Sequence, residues 1–345
     1  MEDTVTTLRL PAEWEEQDAI LLAWPHAETD WCPLLDEVTA VYLDLVQRIS
    51  HYQPLIILTP EADCVRRQLE TVTTGPHPLH LVPCPTNDTW IRDFGPITRY
   101  RRKQTELLDF GFNGWGLKFA ADDDNCATRI LATHPPLQGC RLHTIGLILE
   151  GGSIETDGKG TLLTTSTCLL EKNRNPHLSR HQLEHELRQL LGVKRLLWLD
   201  HGWLAGDDTD AHIDTLARLA PGDTILYVRC DDEQDEHFLP LQRMEEQLKS
   251  FTTAGGKPFR LLPLPWPQAH YDEGRRLPAT YANFLVINGA VLMPCYQDPA
   301  DAKALEVVAT AFPDRRIIGI DCRTLIKQHG SLHCITMQLP KGALS

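Results

Sequence analysis

The stretch that decides the fold runs from Ser153 to Leu199. Its first part, "SIETDGKGTLLTT" (153–165), reads as two short strands around Asp157-Gly158, a pair favoured in type I′ hairpin turns. "LSRHQLEHELRQLLGV" (178–193) has helical periodicity, and "KRLLWL" (194–199) is an apolar strand candidate. The stretch therefore predicts a hairpin, a helix and a third strand, in that order.

The helix of this stretch carries start and stop signals. Ser179 precedes Gln182 by three residues, which is the capping-box spacing. Gly192 supplies a C-terminal stop. One apolar stripe joins Leu183, Leu187, Leu190 and Leu191. We therefore expect the helix to bury this one face.

The same order of elements recurs along the chain. Further helices are predicted at 35–52, 236–251 and 301–312, and apolar strands follow the first and the last of these. Further hairpins are predicted at 97–110, 217–229 and 284–294, the last around Asn288-Gly289. Small α/β units repeated around an axis explain this order and would bring the tips of the units to one centre. No Pro/Ser-rich linker interrupts the sequence, so we expect residues 1–345 to form one α/β domain.

Composition excludes several classes of function. Lys and Arg number 33 against 47 Asp and Glu, a net charge of −14 that argues against a nucleic-acid partner and suits a small cationic substrate. No apolar run is long enough to span a membrane. The N-terminus is acidic and polar, unlike a secretory signal.

The ten cysteines show no C-x-x-C pair, so the usual zinc and redox spacings are missing. Together with the absence of a signal sequence, this predicts free thiols and a cytoplasmic location. No phosphate-binding glycine motif is present either. We expect no metal and no cofactor.

Four stretches place polar residues where a core would have apolar ones. They are "NDTWIRDFGP" (87–96), "LILEGGS" (147–153), "GDDTDAHIDTLA" (206–217) and "HGSLHCITMQLP" (329–340), the last of which reads as a strand from Leu332 onward. Asp93, Glu150, His212, Asn283 and Cys334 lie about 50–70 residues apart, each beside a hairpin. This spacing predicts that the four stretches meet.

One chemistry uses a thiol, an imidazole and several carboxylates without a metal. Two carboxylates can hold a planar guanidinium through its N–H groups and keep it protonated. A thiolate then adds to the central carbon, and a histidine protonates the departing ammonia and later activates water. The inventory therefore predicts hydrolysis of a guanidine.

The motifs resemble those of the agmatine deiminases, in the Porphyromonas-type peptidyl-arginine deiminase family of guanidine-modifying enzymes. "PAEWEEQDAILLAWPH" (11–26), "CLLEKNRNP" (168–176) and "YANFLVING" (281–289) join the stretches above, and the resemblance runs from about Pro11 to Pro340. It implies a five-bladed pseudo-symmetric α/β propeller of ββαβ units.

Residue by residue, the resemblance implies three catalytic roles. Cys334 corresponds to the nucleophile and His212 to the general acid and base. Glu150 corresponds to the acid that orients the histidine and holds a guanidinium nitrogen. Because Asp214 follows His212 by two positions, the two side chains would share one face of a strand.

The resemblance also implies four substrate contacts. Asp93 and Asp214 correspond to the two carboxylates that hold the guanidinium, and Trp90 to an aromatic wall that suits a cation–π contact. Asp208 would face the distal amine of agmatine.

Neighbouring residues are expected to be structural. Adjacent strand residues point to opposite faces, so His333 should not meet the thiol. We expect Arg92 to form an ion pair, Asp88 to cap a turn, and Trp24 and Trp115 to pack outside the site.

The sequence departs from the family in two places. Gln328-His329-Gly330-Ser331 stands where the family has a run of three glycines, and Ala211 stands where it often has glycine. Neither change removes a chemical group from the proposed reaction.

The sequence thus predicts hydrolysis of agmatine to N-carbamoylputrescine and ammonia through a covalent thiouronium on Cys334. Three alternatives stay open: a deiminase of free or peptidyl arginine, an inactive guanidine or polyamine binder, and a metal hydrolase centred on Asp208, His212 and Asp214. The resemblance is also compatible with a homo-oligomer.

Overall fold

A computed structural model describes residues 8–344; Met1–Thr7, the start of the acidic N-terminal stretch, and Ser345 lie outside the described residues. The fold is mixed α/β, with several separate sheets. Five of these sheets share one pattern, in which a first strand pairs antiparallel with a second and the second pairs parallel with a third. We call each such sheet, with its helix, a unit.

Each unit has three strands, and in unit I the first of them comes from the C-terminal end of the chain. In order of first, second and third strand they are Met337–Pro340, Gln17–Ala23 and Leu55–Thr59 in unit I; Ile97–Arg101, Gln104–Gly111 and Arg141–Ile148 in unit II; Ile154–Thr156, Thr161–Thr165 and Arg195–Leu199 in unit III; Ala217–Ala220, Thr224–Val228 and Arg260–Leu264 in unit IV; and Leu285–Ile287, Ala290–Cys295 and Arg316–Asp321 in unit V. Leu79–Pro83 adds an edge strand to unit I, Leu8–Arg9 adds one to unit II, and a separate hairpin is formed by Tyr271–Asp272 and Arg275–Arg276.

Helices connect the second strand of each unit to the third. They are Leu35–Ile49 in unit I, Gly114–Leu117 and Ala127–Leu131 in unit II, Ser166–Leu169 and Arg180–Leu191 in unit III, Phe238–Ser250 in unit IV, and Asp301–Ala311 in unit V; Ala62–Leu69 and Ile91–Phe94 follow the third and edge strands of unit I. The ββαβ order predicted from the sequence is therefore present along the chain in units II to V, whereas the first strand of unit I comes from the C-terminal end. The five-bladed propeller arrangement of the units remains a prediction.

Unit III shows why these residues form these elements. Ser179 and Gln182 form the predicted capping box, and Gly192 ends the helix in the left-handed conformation. Leu183, Leu187 and Leu191 are buried, whereas Leu190 is half-buried. The third strand pairs in parallel and in register with Thr161–Thr165. The helix thus buries one apolar face, as predicted.

The predicted hairpins form, but with different turns. A type I′ turn needs positive φ at both central residues. Of the pairs Asp157-Gly158 and Asn288-Gly289, only the glycines have positive φ, 70° and 74°. The prediction of type I′ geometry was wrong, because these loops need only the glycine in the left-handed region.

The largest apolar cluster includes residues from the first unit to the C-terminal segment, from Ala19 to Ala343. A second cluster lies where units II and III face the capped helix. Because Met337–Pro340 pairs with Gln17–Ala23, the two ends of the chain share one sheet. Within residues 8–344, no helix is long and apolar enough to cross a membrane.

Candidate active site

The five polar residues singled out by their spacing each precede the first strand of a unit. Asp93 precedes Ile97, Glu150 precedes Ile154, His212 precedes Ala217, Asn283 precedes Leu285 and Cys334 precedes Met337. They therefore occupy the same position in each repeated unit. Their side chains form the connected cluster described below.

Cys334 lies in a turn rather than in the predicted strand. Residues 332–335 have turn geometry, and the strand begins only at Met337. Leu332, His333, Cys334 and Ile335 are all buried, so the apolar pattern here reports burial and not an extended backbone. The prediction of a strand from Leu332 was wrong for this reason.

The Cys334 thiol is buried but has polar neighbours. Its Sγ lies 3.4 Å from Oδ1 of Asn283 and 3.9 Å from Oδ2 of Asp214. Burial, and then the charges of Asp214 and Asp93, raise the pKa of Cys334 well above its ordinary value. The free protein therefore holds the thiol protonated at neutral pH.

His212 faces two carboxylates. Its Nε2 lies 3.3 Å from Oε2 of Glu150, and its Nδ1 lies 3.6 Å from Oδ1 of Asp93. Burial alone would lower the pKa of His212, but the charge of Asp93 and the contacts with Cys168 and Glu150 raise it well above its ordinary value. An imidazolium at this position can donate a proton to a leaving group.

Glu150 is held by a buried arginine that the sequence analysis did not single out. Arg174 donates from Nε to both oxygens of Glu150, at 3.0 and 2.8 Å. Burial favours the neutral acid, but His212 and Arg174 lower the pKa of Glu150 below its ordinary value. The only signal for Arg174 was the "NRNP" motif that contains it.

The prediction that His212 and Asp214 share one face of a strand was wrong. Ile213–Thr215 is a single turn of 3₁₀ helix, and His212 is its N-cap residue. Both side chains nevertheless approach the same point. An ideal Cβ built on Gly152 would lie 2.6 Å from Nδ1 of His212 and 3.1 Å from Oδ2 of Asp214. The same Cβ would lie 2.9 Å from Oδ1 of Asp93. We call these three groups around Gly152 the acid cradle.

Two polar atoms of the acid cradle are buried without a hydrogen-bond partner. They are Oδ1 of Asp214 and Nδ1 of His212. Unpaired buried polar atoms are costly, and a ligand is one explanation for them. Oδ1 of Asp93 accepts from the backbone N–H of Gly152 at 2.9 Å, and Oδ2 of Asp93 accepts from Nε1 of Trp115 at 2.9 Å. Both oxygens of Asp93 are therefore fixed in position. Because His212 is held protonated, its Nδ1 is a donor, so the acceptors that the cradle offers to a planar N–H donor are the carboxylate oxygens of Asp93 and Asp214.

The two aspartates of the cradle have different electrostatic environments. Burial, with the nearby charges of Asp214 and Glu150, raises the pKa of Asp93 despite the charge of His212. Burial also acts on Asp214, but a hydrogen bond from His333 lowers its pKa below the ordinary value. A bound cation would compensate the excess of negative charge.

A pocket lies on one side of the cradle. Asp93 lines it, together with Trp90, Trp115 and Phe119, whereas Cys334 and His212 do not. The indole of Trp90 lies directly against Gly330, where a Cβ would come within 2.2 Å of the ring. The packing of Trp90 therefore requires glycine at position 330, which is the one glycine in the altered "QHGS" segment.

Trp115 belongs to the site, contrary to the prediction that it packs elsewhere. Its Nε1 donates to Oδ2 of Asp93 at 2.9 Å. Gly114, Trp115, Gly116 and Leu117 all have positive φ, so they form a left-handed turn. Such a conformation costs a non-glycine residue about 1–2 kcal/mol, and such strain concentrates at functional sites. Trp24, by contrast, packs against Tyr42 as predicted.

The mouth of the pocket is acidic. Asp30, Asp88 and Asp208 line it, and no described lining residue is Arg or Lys. Burial raises the pKa of Asp88 to about 7 and that of Asp208 to about 6, the latter against the opposing charge of His329. Asp88 also accepts from the N–H of Thr89, which agrees with the predicted turn cap. The mouth therefore suits a cationic group.

Two groups of described residues could in principle hold a metal ion. One is Glu150, Cys168 and His212, and the other is Glu13, Glu155 and His333. Each already contains a guanidinium: Arg174 on Glu150, and Arg218 on Glu13 and Glu155. Both are therefore better described as buried ion pairs. Neither contains Asp208 or Asp214, as the metal-hydrolase alternative requires.

Two further expectations need correction or addition. Arg92 has no acidic partner among residues 8–344; it donates to the carbonyl of His333 and to Gln338. Asn283, which the spacing pointed to without a role, accepts from the backbone N–H groups of both His333 and Cys334. Gly152 had no signal beyond the "EGG" pair.

Comparisons with known proteins identify the family of this chain. The profile of the family described as "Porphyromonas-type peptidyl-arginine deiminase" matches residues 9–340. An agmatine deiminase from Pseudomonas putida is 32% identical over 360 residues, which cover 96% of this chain and 95% of that protein.

Solved structures give the same picture. A Cys-to-Ser variant of agmatine deiminase from C. jejuni, with substrate bound, is 40% identical with a TM-score of 0.92 and covers 99% of both chains. A protein from Porphyromonas gingivalis, named provisionally as an arginine deiminase, is 48% identical with a TM-score of 0.91, covering 97% of this chain and 99% of that one.

Proposed function

Because this chain belongs to the Porphyromonas-type peptidyl-arginine deiminase family, we propose that it is a hydrolase of C–N bonds that converts agmatine and water to N-carbamoylputrescine and ammonia. The observation that carries the proposal is the acid cradle. Asp93, Asp214 and His212 surround one point beside Gly152, Oδ1 of Asp214 is buried without a partner among the described residues, and the Cys334 sulfur lies 3.9 Å from Oδ2 of Asp214.

The guanidinium would bind in the cradle. Its N–H groups would donate to Asp93 and to the free oxygen of Asp214, with Glu150 holding a further nitrogen. This grip would keep the group cationic and would fix its central carbon for attack. The bound cation would also offset the charges of Asp214 and Asp93, which raise the pKa of Cys334. The thiol would therefore lose its proton mainly when substrate is bound, and this proton would pass to solvent because His212 already carries one.

The Cys334 thiolate would then add to the guanidinium carbon. His212, protonated in the free protein, would give its proton to the departing ammonia, leaving a covalent thiouronium on sulfur. The neutral imidazole would take a proton from water, which attacks the same carbon. Cleavage of the C–S bond would restore the thiolate and release the urea product.

The acidic mouth supports agmatine over arginine. The distal amine of agmatine is a cation, and Asp208 and Asp88 lie at the mouth to receive it. The α-carboxylate of arginine would meet the same acids. Lys118 is already bonded to the carbonyl of Asp208 and to Asp210. The described lining residues include no Arg or Lys that could receive a carboxylate, which supports agmatine.

The arginine alternative retains one specific support, the 48% identity to the Porphyromonas gingivalis protein. Ammonia release from agmatine, free arginine and a peptidyl-arginine, measured with wild type and Cys334→Ser, decides between the readings. We expect agmatine to be preferred and Cys334→Ser to be inactive. Preference for arginine would refute the substrate assignment, and ammonia release unaffected by Cys334→Ser would refute the mechanism.

Ammonia release, measured with and without a chelator, also tests two further alternatives. An inactive guanidine binder would release no ammonia at all. A metal hydrolase would lose its activity on treatment with a chelator, which the cysteine mechanism predicts to have no effect.

Two structural parts of the proposal remain. We propose that the five units form a five-bladed propeller as one domain, which would place their equivalent tips at one centre. The ten cysteines are free thiols, which supports a cytoplasmic location.

A further inference from the structure

His333 is a buried histidine that the proposed reaction does not use, yet it lies between two carboxylates. Its Nδ1 is 2.7 Å from Oδ2 of Asp214, and its Nε2 is 2.8 Å from Oε2 of Glu13. The side chain is nearly inaccessible, with 2% of its surface exposed. The neighbour of the nucleophile therefore contacts the substrate-binding acid instead of the thiol.

The direction of the contact with Asp214 follows from chemistry. A carboxylate only accepts, so the shared proton belongs to Nδ1 of His333, whatever the state of the other ring nitrogen. This bond occupies Oδ2 of Asp214 and leaves Oδ1 as the buried atom without a partner. One oxygen is thus fixed by His333, and the other is left without a partner among the described residues.

The far side of His333 is anchored by a buried ion network. Glu13 bonds to Nη2 of Arg218 at 2.6 Å and accepts from the backbone N–H of Val286 at 2.8 Å. Arg218 in turn binds Glu155 and the backbone carbonyls of Ala282 and Phe284. These partners come from the N-terminal segment and from units III, IV and V. Such a buried network resists displacement, because each broken bond leaves an unpaired charge.

The same turn also positions the sulfur. Oδ1 of Asn283 accepts from the N–H of His333 at 2.9 Å and from that of Cys334 at 3.3 Å. Any shift of residue 333 would therefore move the acid and the nucleophile together.

From this geometry we propose that His333, anchored by Glu13, is a positioning residue that holds Asp214 with its free oxygen directed at the substrate guanidinium. The inference rests on the proposed function, because it takes Asp214 as a guanidinium ligand. It gives the family's "HC" pair two tasks, with the cysteine attacking and the histidine fixing the acid that receives the substrate.

Two substitutions separate the two contacts of His333. His333→Asn keeps an amide N–H near the position of Nδ1 and loses the contact with Glu13. His333→Gln reaches the position of Nε2 and loses the donor to Asp214. We expect His333→Asn to retain kcat/KM for agmatine within about 10-fold, and His333→Gln to lose about 100-fold or more, the scale of a misplaced substrate.

The pH profile provides a readout that a general structural role would not produce. Loss of the donor should move the acid limb of kcat/KM to higher pH in His333→Gln, because Asp214 then ionises less readily, and should leave it in place in His333→Asn. Equal losses in both variants, with unmoved pH profiles, would overturn the inference. Wild type that releases no ammonia from agmatine would instead overturn the proposed function and this inference together.

If His333→Gln does not fold, the Cys334→Ser variant labelled at histidine nitrogen answers the same question by NMR. The Nδ1–H signal of His333 should be protected from exchange and should shift when agmatine is added. A signal that agmatine does not move would overturn the inference.

Discussion

Replacement of Gly152 by alanine places one methyl group at the centre of the acid cradle. The Cβ would lie 2.6 Å from Nδ1 of His212, 2.9 Å from Oδ1 of Asp93 and 3.1 Å from Oδ2 of Asp214. Gly152 does not have positive φ, so alanine is compatible with the backbone. The substitution therefore tests the space between the three groups and not backbone strain.

The size of the effect follows from how firmly the three groups are held. Each is tied by a further bond: His212 to Glu150, Asp93 to Trp115, and Asp214 to His333. The methyl must displace them by several tenths of an ångström, which for overpacking costs about 1–3 kcal/mol of stability. Misplacement by about 1 Å at a reacting centre lowers rates about 100-fold. We expect kcat/KM for agmatine to fall by about that factor.

The assay compares ammonia release and thermal unfolding in wild type, Gly152→Ala and Gly146→Ala. Gly146 is the matched control, because its Cβ would meet nothing within 4 Å and it lies on an exposed position of a strand. The control should retain wild-type kcat/KM. If Gly152→Ala is as active as the control, the cradle does not hold the substrate and the reasoning fails.

Four further outcomes are expected. Thiolate absorbance should show a lower pKa for Cys334 when a non-hydrolysable guanidine binds, because the cation offsets the charges that raise it; an unmoved pKa would disprove substrate-assisted ionisation. Asp208→Asn should raise KM for agmatine about 5-fold, the scale of one partly screened charge pair, without affecting an alkylguanidine that lacks the amine; equal effects on both would show that Asp208 does not meet the amine. Trp115→Phe removes a donor to Asp93 and should lower kcat/KM at least about 10-fold, and an unchanged value would make this hydrogen bond dispensable. Burial raises the pKa of Asp124 to about 8, so the folded state binds a proton that the unfolded state releases above about pH 4; unfolding free energy should therefore decline as pH rises from about 5 to 8, and a slope that Asp124→Asn leaves unchanged would contradict this.

The sequence predicted the local elements well because their causes are local. The capping box at Ser179 and the stop at Gly192 are read within one helix, and the structure has both. The hairpin, helix and strand order likewise follows from patterns of a few residues and is present along the chain in units II to V. The errors are of one kind: the apolar segment after Leu332 and the pair at Asn288-Gly289 gave patterns that two backbone conformations satisfy.

The candidate site divides in the same way. Spacing and motifs named Cys334, His212 and Asp93 because their side chains are chemically conspicuous. They did not predict the hydrogen bond between Trp115 and Asp93 or the contacts of Asn283 with the Cys334 turn. The first contact spans 22 residues and the second 51, and no local pattern encodes such a distance.

The sequence by itself determined the order of the secondary-structure elements, the family, and the kinds of groups available for chemistry. Only the tertiary structure decided how those groups meet: that Gly152 leaves room among three polar side chains, and that His333 binds Asp214 and Glu13 instead of facing the thiol. The physical reason is that hydrogen bonding and hydrophobic periodicity act over a few residues, whereas the site depends on packing between units far apart in the chain.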